Sequence, residues 1–548
     1  MNDNVLEVTD LNVSAKTDKG KLFPIVKDLN FSIAPGKVLA LIGESGSGKS
    51  TISLACMGFA RAGCVITGGE ARLDGTDVLS LNYGERRALR GADVSYVAQS
   101  AAASFNPALR IDRQVTETPI IKKLMTPQQA NDKAISLYRE LDLPNPEQIG
   151  NRYPHQVSGG QLQRIMAAMA MICDPKLLIL DEPTTALDVT TQIEVLQSFK
   201  RMIKDRNTSA IYVSHDLSVV AQLADHILVL KDGEMVEYGS VDQILNNPKD
   251  EYTQKLISAA HVMPKTIVER PTDPELLKKR ALLEVDNVVA GYGVNHQYLA
   301  LKSVSLKVNK GQTVGVIGES GSGKTTLGRV ISGLMDTKSG GVRLDNQYLV
   351  GDVGKRTKDD QRFIQFAFQM ADVALNPRHR IRKILGRPLK FYFNMSEQEI
   401  DKRVAELLQL VELPESYADR FPRELSGGQR QRINLARALA AEPKVIILDE
   451  VTSALDTIVA ESVLKLLNKI QDDIGVAYIF ITHDISAIAK VSDTIYVMRH
   501  GELVDYGKTK DVLTPPCHEY TQLLLNSIPE LRTDWLDDVM IKRAQSNQ

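Results

Sequence analysis

Cysteine, tryptophan and net charge are all scarce in this chain. Of its 548 residues only four are cysteines, Cys56, Cys64, Cys173 and Cys517, and only one is a tryptophan. The cysteines are scattered and form no Cys-x-x-Cys pair. That excludes the common zinc and disulfide frameworks and suits a reducing compartment. The formal net charge is −2, without the basic excess of a surface that coats nucleic acid. No uncharged apolar run approaches the ~20 residues needed to span a bilayer. The opening Met1-Asn2-Asp3-Asn4 lacks the basic and apolar regions of a signal peptide. These absences predict a soluble protein, whose membrane role, if any, needs partner subunits. A chain of this length exceeds one hydrophobic core, so several domains are expected.

What is present is one module written twice. Leu6-Glu7-Val8 recurs as Leu283-Glu284-Val285. Gly43-Glu44-Ser45-Gly46-Ser47-Gly48-Lys49-Ser50 recurs as Gly318 to Thr325. Gln99 with Asn106-Pro107 recurs as Gln369 with Asn376-Pro377. Ser158-Gly159-Gly160-Gln161 recurs as Ser426-Gly427-Gly428-Gln429, Asp181-Glu182 as Asp449-Glu450, and His215-Asp216 as His483-Asp484. Such spacing means two whole domains, not a short-period solenoid. The expected layout is a first domain over 1–262, a linker over 263–280, a second domain over 281–527 and a tail over 528–548. Pro264, Pro271 and Pro274 among charged residues mark the linker. Extended, such a segment reaches roughly 60 Å. The tail reads as polar and carries no motif.

Two glycines four residues apart, then Lys and a hydroxyl residue, form a phosphate-binding loop. An apolar run precedes each copy, Val38 to Ile42 and Val314 to Ile317. Strand, loop and helix therefore come in the required order. Backbone N–H groups of the loop would face phosphate oxygens, and the following helix adds dipole charge. Lys49 and Lys324 would reach the β- and γ-phosphates, and Ser50 and Thr325 would ligate Mg²⁺.

Leu177 to Leu180 and Val445 to Leu448 are short apolar runs that read as buried parallel strands. Each ends in an Asp-Glu pair. Asp181 and Asp449 suit the Mg²⁺ shell, and Glu182 and Glu450 suit the attacking water. Gln99 and Gln369 could orient water or Mg²⁺. His215 and His483 follow β-rich runs and could donate to a γ-phosphate. Between these motifs lie helical inserts. Thr126-Pro127 marks one helix start, with Ala130, Ala134, Leu137 and Leu141 on one face. Ser396 and Glu399 suggest a capping box ahead of Ile400, Val404, Leu407 and Val411. The Ser-Gly-Gly-Gln stretches each precede a helix and form a second phosphate-reading element, best explained if it serves the other module's nucleotide.

Together these motifs, with Ala186-Leu187-Asp188 and Ala454-Leu455-Asp456, resemble the ATPase domains of ABC transporters. Both Gly-Glu-Ser-Gly-Ser-Gly-Lys loops, both Asn-Pro pairs, and Tyr252-Thr253 and Tyr520-Thr521 near the domain ends resemble the oligopeptide/dipeptide importer branch and its fused twin-ATPase subunits. That branch's frequent C-terminal cysteine cluster is missing, so no iron–sulfur centre is implied.

The resemblance implies an α/β fold with two P-loop ABC ATPase domains. Each would have a RecA-like core, an antiparallel β subdomain and a helical subdomain. It implies ATP and Mg²⁺ as cofactors. The nucleotide would be held by Gly43, Ser45, Gly46, Gly48, Lys49, Ser50 and Thr51, and by Gly318, Ser320, Gly321, Gly323, Lys324, Thr325, Thr326 and Tyr292. Ser50, Gln99, Asp181, Thr325, Gln369 and Asp449 would surround the metal. Glu182, Glu450, His215, His483, Gln99 and Gln369 would carry catalysis. In two composite head-to-tail sites, Ser426, Gly428 and Gln429 would complete the first, and Ser158, Gly160 and Gln161 the second. Two membrane permease subunits and a periplasmic or extracellular substrate-binding protein would be partners, with no nucleic acid and no direct cargo contact. The chain would sit at the cytoplasmic face of a bacterial membrane as its energising ATPase. Twin ATPases of ribosomes or DNA and sugar-importer ATPases are the alternatives. The short proline-bearing linker and two intact signatures weigh against them.

The halves differ. Tyr292, which would stack on adenine, stands where the first half has Ala15, so weaker nucleotide binding is expected at the first site unless Phe23 substitutes. Val451 replaces Pro183 after the catalytic glutamate, and neither half lacks a catalytic residue. Arg378, Arg380, Arg382 and Lys383 form a basic run that is either a docking surface or a solvated face.

Overall fold

The computed structural model describes residues 4–17, 20–185, 187–260, 263, 281–453 and 455–546. The expected linker, apart from residue 263, lies outside the described residues, as do Ala186 and Ala454 of the two Ala-Leu-Asp segments. The chain divides into two units. The first gathers 1–262 with 456–458 and 529–548, and the second gathers 263–455 with 459–528.

Each unit is built on a six-stranded sheet. In the first, the strand order is Val94–Val97, Leu177–Asp181, Ser209–Val213, Val38–Ile42, His226–Lys231 and Glu234–Ser240. All neighbours are parallel except the last pair. The second repeats this order with Ile364–Ala367, Val445–Asp449, Ala477–Ile481, Thr313–Ile317, Thr494–Arg499 and Glu502–Lys508. The four central strands of the first sheet are apolar over nearly their whole length because both faces are covered, one by helices and the other by helix Lys49–Ala55 with an antiparallel sheet. Every residue of Val38–Ile42, Leu177–Asp181 and Ser209–Val213 is buried.

Register decides where the chemistry emerges. Leu41 lies opposite Val213, and Val213 opposite Asp181. The phosphate loop, the Asp-Glu pair and the His-bearing turn thus leave the sheet at one edge. In open parallel sheets the carboxyl ends of the strands are where ligands bind. In the second unit Val316 pairs with Ile481, and Ile481 with Asp449.

Beside each core lies a four-stranded antiparallel sheet, Leu22–Ile33, Leu6–Lys16, Cys64–Leu73 and Thr76–Asp77 in the first unit. Its counterpart is Tyr298–Val308, Leu283–Tyr292, Ser339–Leu344 and Gln347–Tyr348. The helical inserts form as their caps predict. Thr126 closes a capping box with Gln129 at the start of helix Pro127–Glu140, and Ser396 does so with Glu399 at Glu397–Leu410. Ala130, Ala134, Leu137, Leu141, Ile400, Val404, Leu407 and Val411 are all buried.

The tail departs from its sequence reading. It forms a helix, Trp535–Ser546, and its Trp535, Leu536 and Val539 are buried in the first unit's core. Apolar residues at positions 1, 2 and 5 of a short helix make one stripe, which the surrounding charged residues mask in a composition count.

Candidate nucleotide sites

The phosphate loops need their glycines. Gly43 has φ +153°, and a Cβ there would lie 2.1 Å from the carbonyl oxygen of Leu230. Gly318 has φ +149° and the same approach to Met498. Lys49 begins helix Lys49–Ala55, and its Nζ donates to the carbonyls of Gly43 at 2.7 Å and Glu44 at 2.8 Å. Lys324 does the same with Gly318 and Glu319 at 2.6 and 2.8 Å. Each ammonium is thereby held across its own loop. Burial lowers the pKa of Lys49 against the pull of the nearby carboxylates. The Ser47 and Ser322 hydroxyls are buried inside the loops without a protein partner. The sequence reading had not singled them out. An unsatisfied buried hydroxyl fits a loop built for a polar ligand.

Beyond the loop, the Ser50 hydroxyl donates to Asp181 Oδ1 at 2.9 Å, and the Thr325 hydroxyl to Asp449 Oδ1 at 3.2 Å. A hydroxyl and a carboxylate are hard oxygen donors, which suits Mg²⁺ bound mainly through substrate phosphates. Among the described residues there is no cluster of three or more His, Cys, Asp or Glu that could cage a metal alone. Burial raises the Asp449 carboxyl to about 6, the neighbouring Glu450 charge adding to it against the Thr325 hydrogen bond.

Glu182 and Glu450 leave their strands with φ +49° and +48°. A non-glycine residue in this region stores strain of order 1–3 kcal/mol, a feature that clusters at functional sites. The turn places both carboxylate oxygens among partners. Glu182 Oε1 lies 3.2 Å from His215 Nδ1, and Oε2 accepts from Gln99 Nε2 at 2.9 Å. Glu450 repeats this with His483 at 3.3 Å and Gln369 at 2.6 Å. Burial works to raise both carboxyls. The hydrogen bond and charge of the histidine, with the loop lysine, outweigh it and hold both below the usual carboxylate range.

Each unit therefore brings its own loop, Asp, Glu, Gln and His together. Ser158 and Ser426 cap helices Gly159–Met171 and Gly427–Leu439. Their side chains and those of Gln161 and Gln429 close capping boxes with the backbone. Gly160 and Gly428 are fixed by packing: a Cβ would meet Thr191 at 2.1 Å and Val459 at 2.2 Å.

Tyr292 is half-exposed, and its hydroxyl lies 3.0 Å from that of Thr326. Phe23 pairs with Ala15 across the first antiparallel sheet, as Tyr298 pairs with Tyr292 in the second. Phe23 thus stands one strand away from the position where the aromatic ring was expected. The Asn106 and Asn376 side chains accept from Ala108 N at 3.0 Å and Arg378 N at 2.9 Å, so each Asn-Pro pair forms a local turn. In the basic run, Arg382 pairs with Asp401 and Glu397, and Arg380 donates to the Asp419 carbonyl and lies over Phe421. Those two charges are already used within the fold.

Three further contacts escaped the sequence. The Tyr96 hydroxyl donates to Asp181 Oδ2 at 2.6 Å, with Arg61 at 3.6 Å from the same oxygen. Tyr252 Oη accepts from the loop N–H of Glu44 at 3.1 Å, and Tyr520 Oη from that of Glu319 at 3.1 Å. The Tyr-Thr pairs that served as a family mark thus brace the phosphate loops.

The chain matches the ABC transporter family over residues 26–185 and 301–453. It also matches the C-terminal region of oligopeptide/dipeptide transporters over 236–280 and 504–548. It belongs to the ABC transporter family. It is 36% identical to the glutathione import ATP-binding protein GsiA of Pectobacterium atrosepticum, over 96% of this chain and 89% of that one. It is also 36% identical to GsiA of Escherichia coli strain K12, over 96% and 90%. The protein is thus an ATP-binding, ATP-hydrolysing subunit of a peptide-type ABC importer with two fused ATPase domains. This sets aside the ribosome, DNA and sugar-importer alternatives.

Proposed function

We infer that the protein powers uptake of short peptides or peptide-like solutes such as glutathione, with Mg²⁺-ATP as its fuel. The observation that carries this reading is the convergence of Lys49, Ser50, Asp181, Glu182, Gln99 and His215 at one sheet edge, repeated around Lys324 to His483. The oligopeptide/dipeptide match and the glutathione importers among the relatives support the cargo class.

In this reading the loop lysines leave their own carbonyls for the β- and γ-phosphates. Ser50 with Asp181, and Thr325 with Asp449, hold the metal, which when bound neutralises phosphate charge. Glu182 and Glu450, kept ionised, polarise the attacking water, and Gln99 and Gln369 orient it. His215 and His483 donate to the γ-phosphate and report its loss. Each Ser-Gly-Gly-Gln signature serves the nucleotide of the other module, and Ser426→Arg is expected to abolish turnover at Lys49.

Among the described residues no helix is long and apolar enough to cross a membrane, so translocation falls to membrane permease subunits. Met370 and Val373 stand exposed directly after Gln369, which suits docking of an apolar permease segment beside the catalytic glutamine. In this reading the chain works at the cytoplasmic face of the membrane, and a substrate-binding protein delivers cargo from outside. Reconstitution with membrane permease partners tests the reading. ATP-dependent uptake of glutathione or a dipeptide, abolished by Lys49→Ala with Lys324→Ala, is expected. Co-purification with ribosomes and no permease would overturn it.

A further inference from the structure

The last residues of the chain follow the second module in sequence but belong to the first unit. Their seat is helix Leu217–Leu223, which starts immediately after His215 and is capped by Asp216. Gln222 on that helix is almost wholly buried, yet its side-chain amide is satisfied by the tail. Its Nε2 donates to the carbonyls of Glu530 at 3.1 Å and Arg532 at 2.8 Å, and its Oε1 accepts from Leu536 N at 3.0 Å. A buried amide without these partners would be unsatisfied at both ends. Trp535, Leu536 and Val539 join the apolar cluster that contains Leu217, Val219 and Val220. Lys200 and Asp537 add an ion pair at 2.9 Å. Arg532 ties the approach together through Glu530, Asp534 and Asp538.

Among the described residues nothing comparable seats on the matching helix, Ile485–Val491. Where the first has Gln222, it has Lys490, whose ammonium pairs with Glu461 at 2.8 Å.

We propose that residues 529–546 are an intramolecular clasp, docked through Gln222 and Trp535 on the helix that follows His215, which holds that histidine's turn in order. The chain's end thereby becomes part of the first ATPase site's support, and releasing it loosens that site selectively.

Trp535 is the only tryptophan, so the intact protein reports on its own clasp. Wild-type emission is expected to be blue-shifted and shielded from acrylamide. Gln222→Lys and, separately, Leu536→Asp are expected to shift it to the red and raise quenching several-fold. Ending the chain after Ser527 is expected to speed amide hydrogen exchange across Leu217–Leu223 at least several-fold, leaving Ile485–Val491 unchanged. Gln222→Lys in the full chain should give the same pattern and covers the case of a truncated chain that fails to fold. An exposed-indole spectrum in the wild type would overturn the proposal. So would unchanged exchange in Leu217–Leu223 once Trp535 is released, or equal acceleration in both helices.

Discussion

The hydroxyl of Tyr96 lies 2.6 Å from Oδ2 of Asp181. Phe366 stands at the matching strand position in the second unit and has no hydroxyl. Burial and the adjacent carboxylate both raise the Tyr96 pKa, so the phenol stays a proton donor. Such outer partners orient a metal-binding carboxylate, and losing one typically costs 10–100-fold in metal affinity. Tyr96→Phe is therefore expected to raise the half-saturating Mg²⁺ concentration at the first site by roughly tenfold. Titrating Mn²⁺ with ATP by electron paramagnetic resonance, with Lys324→Ala and Asp449→Asn emptying the second site, measures it. An unmoved titration would show that the contact is incidental.

The tyrosines near the domain ends make a second prediction. Tyr252→Phe removes the acceptor of a part-buried loop N–H, at a cost below the about 1–3 kcal/mol of a fully buried unsatisfied donor. Part of that loss should appear as weaker binding of a non-hydrolysable ATP analogue at the first site, with Tyr520→Phe acting likewise at the second. Calorimetric titration separates the two when combined with Lys324→Ala or Lys49→Ala.

Much of this was legible beforehand. The phosphate loops, the Asp-Glu strand ends and the capping boxes of Thr126 and Ser396 are local patterns, and the structure forms them where the spacing puts them. What could not be read was pairing across the sheet. Tyr96 meets Asp181 from 85 positions away only because their strands are neighbours, and Glu44 meets Tyr252 from 208. The tail was missed for another reason. Trp535, Leu536 and Val539 are too few to announce a buried face, and Gln222, which receives the tail, looks like an ordinary surface residue. The arginines after Asn376 carry charge that the sequence cannot show to be spent on Asp401, Glu397 and Asp419.

The aromatic asymmetry is testable at each site. Base–aromatic stacking is worth ~1–3 kcal/mol per base in single-stranded nucleic acids, and adenine offers the same face. Tyr292→Ala is expected to weaken nucleotide binding at the second site, and Phe23→Ala at the first by less. Equal wild-type affinities in the Lys49→Ala and Lys324→Ala proteins would contradict the expected weaker first site.

Acid sensitivity follows from Glu182 and Glu450. Their carboxyls titrate below the usual carboxylate range in the folded protein, against ~4.3 for an unfolded glutamate. The folded state thus favours the ionised form. This stabilisation is present above the unfolded value and is lost as pH falls through the folded one. Nucleotide-free Glu182→Gln with Glu450→Gln should melt below the wild type at neutral pH. The gap should close on acidification below about pH 4. A gap that persists at lower pH would point to shape rather than charge.

Turnover and ATP retention in that same double variant test the account most directly. If Glu182 and Glu450 polarise water at two otherwise intact sites, steady-state ATPase activity falls by at least about a hundredfold, on the scale of a lost general base. Radiolabelled ATP stays bound and unhydrolysed through gel filtration. Turnover close to that of the wild type would contradict the assignment.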